Sequence, residues 1–195
     1  MTILSYNDIV TPELLKDAIE HYAEGYVKDY HILHCLCKKY RPQTFLEIGT
    51  HIGTGTKIIK NALGPNSLVY SLDLLPEQAA KSAMHPISEG RNAGVGSACD
   101  LPYIQLLATD SLEFDYSKLP TIKGFFIDGD HDYEHPYNET LIALKDNPIL
   151  IIWHDADAFQ VSKAIQEAML TAAESYLLFM VADTRVAFAI RKPEP

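Results

Sequence analysis

Five short runs in this chain are apolar or β-branched almost throughout and lead into polar residues. They are TFLEI (44–48), SLVYSLD (67–73), YIQLLAT (103–109), GFFID (124–128) and ILIIWHD (149–155). Segments of helical character lie at 54–63, 76–84, 137–145 and 161–172, the first closed by Gly64-Pro65. A strand that is apolar along its whole length must be covered on both faces. Strands that alternate with helices reach that state by forming a parallel sheet between two helical layers. The tail differs: YLLFMVAD (176–183) and RVAFAIR (185–191) flank a short Asp-Thr turn and predict an antiparallel pair at the sheet edge. The expected fold is α/β: a doubly wound, mostly parallel seven-stranded sheet with an antiparallel C-terminal strand pair and N-terminal helices.

Thr11-Pro12-Glu13 has the form of a helix start, and Leu14, Leu15, Ala18, Ile19 and Tyr22 then recur at helical spacing. A second helix is expected over 27–39, stopped by Arg41-Pro42. The stretch between Met84 and Leu101 lacks periodicity and reads as a surface loop. A length of 195 residues suits one domain with a full core. We expect a single unit over 1–195, helical over 1–43 and sheet-forming over 44–195.

A formal charge of -10, with Lys and Arg scattered, argues against nucleic-acid phosphate as partner. Three cysteines, Cys35, Cys37 and Cys99, suit a reducing compartment, and the N-terminus carries no basic start followed by an apolar run. No apolar run is long enough to cross a bilayer. The expectation is a cytoplasmic protein.

Ligands of doubly wound sheets bind beyond the carboxyl ends of the strands, so polar residues there carry the functional signal. After the first run comes EIGTHIGTGT (47–56), where Gly49, Gly53 and Gly55 permit a sharp turn and close backbone approach. The spacing is not the G-x-G-x-x-G of dinucleotide enzymes, and Glu47 before it suits a cationic ligand better than a pyrophosphate. Asp73 ends the second run and can accept both hydroxyls of a ribose; it could equally cap the next helix. Asp110 and Ser111 follow the third run, as an adenine contact or an ordinary turn.

In that order and spacing, EIGTHIGTGT, SLD, ATDS and FFIDGDHDYE resemble class I S-adenosylmethionine (SAM)-dependent methyltransferases. The likeness is to the small O-methyltransferase-like branch with an IDGDHxYE motif, and it runs from about Thr44 to the end. The resemblance implies methyl transfer from SAM to a small-molecule acceptor, at a hydroxyl oxygen, by a monomer or a homodimer. It implies that Glu47 and Gly49 lie by the methionine moiety, with Thr50 and Gly53 also binding the cofactor, Asp73 by the ribose, Asp110 and Ser111 by adenine, and Asp128 by the sulfonium and acceptor. A SAM-binding protein without turnover and a nicotinamide-dependent oxidoreductase are the alternatives.

The acid-rich stretch after Phe126 has three readings. Asp128, Asp130, Asp132 and Glu139 mimic calcium-loop spacing, but Tyr133 stands where that loop needs glycine and Pro136 interrupts it. In some relatives an acid after the fourth run and two polar residues after the fifth hold a divalent cation such as Mg2+. The matching positions are Asp128, His154 and Asp155, with His154-Asp155 where metal-bearing relatives carry a pair of acids or amides. His131 is the candidate general base, since methyl transfer requires the nucleophile to lose its proton; alternatively it only hydrogen-bonds Asp155 or His154. Asp130, Asp132, Glu134 and His135 read as a solvated turn and the acidic start of a helix. HILHCLC (31–37) reads as a packed helix, because C-x-C on a helix points its thiols about 200° apart.

Overall fold

The computed structural model describes residues 1–18, 26–75, 78 and 95–193. The strands are β1 (Thr2–Leu4), β2 (Thr44–Ile48), β3 (Leu68–Leu74), β4 (Ile104–Ala108), β5 (Gly124–Ile127), β6 (Leu150–Trp153), β7 (Tyr176–Val181) and β8 (Ala187–Arg191). The helices are α1 (Tyr6–Ile9), α2 (Pro12–Leu15), α3 (Val27–Tyr40), α4 (Thr54–Leu63), α5 (Glu134–Lys145) and α6 (Phe159–Leu170). The strands form one sheet in the order β1-β7-β8-β6-β5-β2-β3-β4. All neighbours are parallel except β8, which runs antiparallel to both β6 and β7.

Period-two alternation along the central strands divides the interior into two layers. Phe45, Phe126 and Ile152 point to the layer packed with α3 and α4. Leu46, Phe125, Ile151 and Trp153 point to the opposite layer, where α5 and α6 pack. Trp153 is fully buried, and its indole N–H is satisfied by the Thr140 hydroxyl at 2.9 Å. β2 lies between β3 and β5, so the chain first extends the sheet to one side and then returns to the other. That reversal is where such sheets open a ligand crevice.

The α/β architecture is the expected one, with three differences. The sheet has eight strands, because Thr2–Leu4 pairs in parallel with Phe179–Val181. The C-terminal hairpin is therefore covered at its outer side; three residues with Ile3 72% exposed are too short to show alternation. The first expected helix stops at Leu15, and Asp17 takes a left-handed backbone at φ 68°. Ile19, Tyr22 and the helix expected over 76–84 lie outside the described residues, apart from Gln78. α5 begins at Glu134, ahead of the expected 137, since Pro136 falls in the first turn where its missing N–H costs nothing. Cys35 and Cys37 are buried free thiols in α3, as a packed helix requires. Among the described residues no helix is long and apolar enough to cross a membrane.

Candidate active site

The C-terminal ends of β2, β3, β4, β5 and β6 lie along one edge, and backbone hydrogen bonds continue past the strands. Gly49 N–H donates to Leu72 O at 2.8 Å, Asp128 N–H to Ile48 O at 2.8 Å, and His154 N–H to Ile127 O at 3.1 Å. Gly49 is at φ 98°, and a Cβ there would lie 2.0 Å from the Asp128 carbonyl oxygen, so only glycine lets these two turns touch. Asp73 accepts from His51 N–H and Leu74 N–H, both at 2.6 Å, pinning the glycine-rich turn to the end of β3. Gly53 caps α4 without a side-chain hydrogen bond. The first-turn N–H groups of α4 thus begin at the same edge.

Two of the expected ligand-facing residues point inward. Glu47 shares the parity of Phe45 in β2 and is 1% exposed, under the first turn of α4. It accepts hydrogen bonds from Thr56 and Ser71, and the Thr50 hydroxyl joins the same buried network through Ser71 at 2.6 Å. Burial raises the Glu47 carboxyl to about 8 despite those two hydrogen bonds, with Asp128 and Asp73 adding to the rise.

At the β4 side, Asp110 accepts from Leu112 N–H at 2.8 Å and faces His135 Nε2 at 3.3 Å. Ser111 donates its hydroxyl to Glu139 Oε1 at 2.6 Å, while Glu139 Oε2 is buried with no hydrogen-bond partner. Burial raises Glu139 to about 7 against the pull of Ser111. Glu139 gave no signal in the sequence beyond its place in the discarded calcium pattern.

The third group lies at the ends of β5 and β6. His131 Nε2 meets Asp155 Oδ2 at 2.9 Å. His154 places Nδ1 3.0 Å from Asp155 Oδ2 and 3.3 Å from Asp128 Oδ1, and Nε2 3.2 Å from Asp29 Oδ2. Arg185 pairs with Asp155 Oδ1 and lies 3.5 Å from Asp157. Burial disfavours charge on His154, yet the carboxylates Asp128, Asp155 and Asp29 raise it far above the ordinary histidine value. Burial likewise disfavours charge on Asp155, yet His131 and His154 hold it well below the usual carboxylate range. Asp155 itself sits in the left-handed region at φ 51°, a conformation of the kind that neighbouring contacts must enforce.

Of the residues considered for a cation, Asp128 and Asp155 converge, but His154 does not join them on the open side. The histidine that does is His131, whose ligand atom lies within 4.8 Å of theirs. Asp29, from α3, and Arg185, from the turn before β8, were not expected here. Asp29 carries no local motif. Arg185 could have been inferred from topology: an antiparallel β8 beside β6 begins where β6 ends, and Ala156 N–H donates to Arg185 O at 2.9 Å.

No family model matches the chain, and no curated protein sequence is similar to it. Its structure is similar to an O-methyltransferase from Bacillus cereus in complex with SAH, at TM-score 0.56 and 19% identity over 92% of this chain and 89% of that one. An O-methyltransferase from Streptomyces achromogenes involved in tomaymycin synthesis, in complex with SAM, gives 0.54 and 16% over 85% and 80%. A SAH-bound methyltransferase from Podospora anserina gives 0.57 and 11% over 85% and 79%. What is shared at these identities is the fold: the chain has the mixed, mostly parallel α/β architecture of these methyltransferases.

The buried Glu47 carboxyl makes a stability prediction. Its folded value lies above the unfolded one, so the folded state keeps a proton that the unfolded chain releases first. Its contribution to stability is therefore lost as pH rises from 4.5 towards about 8, and Glu139 acts in the same direction. Glu47→Gln keeps an acceptor for Thr56 and Ser71 but cannot ionise. In thermal denaturation it should melt higher than wild type by roughly 3 °C or more near pH ~8.5, about 1 kcal/mol for this chain size, and close to wild type near pH ~5.

Proposed function

We propose that this protein transfers the methyl group of SAM to a hydroxyl oxygen of a small-molecule acceptor. The observation that carries this reading is the glycine-rich turn at Gly49, which contacts Asp128 and is tied to Asp73, with Asp110 and Ser111 on the same sheet edge. The fold likeness to proteins crystallised with SAM or SAH supports it.

The residues fit such a cofactor. Glycine at position 49 lets the turn after β2 pack directly against the Asp128 backbone, and the Asp73 carboxylate keeps lone pairs for a diol after accepting two backbone N–H groups. Asp110 and Ser111 stand at the adenine end. Bound SAM supplies an electrophilic methyl group on a sulfonium. The carboxylates Asp73, Asp110 and Asp128 lie at or just beyond the ends of β3, β4 and β5 along one sheet edge and favour that positive charge electrostatically.

Deprotonation of the acceptor falls to His131. Asp155 accepts from Nε2, which fixes the tautomer and leaves Nδ1 as the proton acceptor. The His131 side chain is 31% exposed, so an acceptor can reach it from solvent. The hydrogen bond to Asp155 raises its pKa against the effect of burial, helped by the charges of Asp155, Asp128 and Asp130. Because the neutral form is the base, the rate should climb with pH to a plateau above the ordinary histidine range. Asp128 lies between this dyad and the glycine turn, and would face both the methyl donor and the acceptor.

Three measurements test the reading. SAH at a hundredfold excess over its dissociation constant adds about 2.7 kcal/mol, and should raise the melting midpoint by roughly 5–10 °C. NADH should not; the opposite pattern would point to an oxidoreductase. Asp73→Ala should weaken SAH binding by about 1.5–3 kcal/mol, or roughly ten- to a hundred-and-fiftyfold, by calorimetry. His131→Ala should bind SAH like the wild type and turn over about a hundredfold more slowly or worse, without the alkaline climb. Unchanged turnover in that variant would remove His131 from the mechanism.

A further inference from the structure

We propose that this chain supplies from its own side chains the positive charge that metal-assisted proteins of this fold take from a divalent cation. His154 and Arg185 provide it, held in place by Asp29 and Asp155. The site then excludes such an ion, and Asp29 is the positioning residue that makes it so.

The argument is one of donors and acceptors. Both ring nitrogens of His154 face carboxylate oxygens, Asp29 on one side and Asp128 with Asp155 on the other. Carboxylates have no hydrogen to donate, so both nitrogens carry one. The ring is then an imidazolium, with no lone pair for a metal. Asp155 is no better placed as a ligand. The Arg185 guanidinium lies against Oδ1 as an ion pair, while His131 and His154 share Oδ2 at 2.9 and 3.0 Å. Arg185 is itself fixed by Asp157 and by the face of Tyr26, 5.4 Å from its guanidinium carbon to the ring centroid. Asp29 is 4% exposed and also accepts the Arg185 backbone N–H at 3.3 Å, so α3 and the turn before β8 are locked to the end of β6 together. A dication reaching Asp128, His131 and Asp155 would have to lie beside the imidazolium and within reach of the Arg185 guanidinium on the same carboxylate. The donor set therefore does not fit a divalent ion. The two built-in cations keep Asp155 ionised and oriented, and Asp155 orients His131. That last step rests on the methyl-transfer reading; the exclusion of an ion does not.

The test uses the full chain and no SAM, so failure of the methyl-transfer reading would leave its readouts unmoved. Mn2+ titration followed by electron paramagnetic resonance should show no saturable site tighter than about 1 mM, the weak end for oxygen-ligand sites. Nitrogen-detected NMR of His154 should show both ring nitrogens protonated near neutral pH. One-to-one Mn2+ binding that Asp128→Asn abolishes would overturn the proposal, as would a neutral His154 ring. The double variant His154→Asp/Arg185→Gln removes both cations and should bind Mn2+ at least tenfold more tightly than wild type. If it folds and still takes no Mn2+, these cations are not what keeps the ion out. If it does not fold, the two wild-type measurements decide alone.

Discussion

β2, β5 and β6 are covered on both faces, and the placement of the site's charged groups follows from that constraint. A strand sandwiched between two apolar layers has no solvated face for a charged side chain, so such groups collect where the strands end. Because these strands run parallel, their ends lie along one edge. The antiparallel β8 adds a turn from the opposite direction, which is how Arg185 arrives beside Asp155. Glu47 is the exception that tests the rule: it sits within β2, wholly buried, and is tolerated because Thr56 and Ser71 donate to it.

The edge holds carboxylates in two different electrostatic conditions. Glu47 has only hydroxyl partners and other acids nearby, so burial dominates and its carboxyl holds a proton to unusually high pH. Asp155, also buried, is surrounded by His131, His154 and Arg185 and stays ionised to unusually low pH. Two buried carboxyl groups with opposite neighbours thus take opposite protonation.

Much of the scaffold was legible because periodicity is a local property. The strands at 44–48, 124–127 and 150–153 and the helix at 54–63 appear where their patterns predict. β1 was not legible, since three residues cannot display a period and its pairing with β7 spans nearly the whole chain. The early stop of α2 at Leu15 was hidden too, because nothing in LKDA marks Asp17 as left-handed. Within the site, Gly49, Asp73, Asp110 and Asp128 stood at strand ends and could be picked out by position. The inward turn of Glu47 was not legible, because both faces of β2 are buried and parity with Phe45 selects a layer rather than an exposure.

The amino-acid order by itself determined which residues would stand at the carboxyl ends of a parallel sheet, because apolar runs and the turns after them are written consecutively. Only the tertiary structure decided what those residues do to one another. His154 became a bound cation because α3 brings Asp29 from 125 positions away, and Arg185 reached Asp155 because β8 runs backwards beside β6. Charge state depends on neighbours in space, and no local pattern encodes a neighbour that distant.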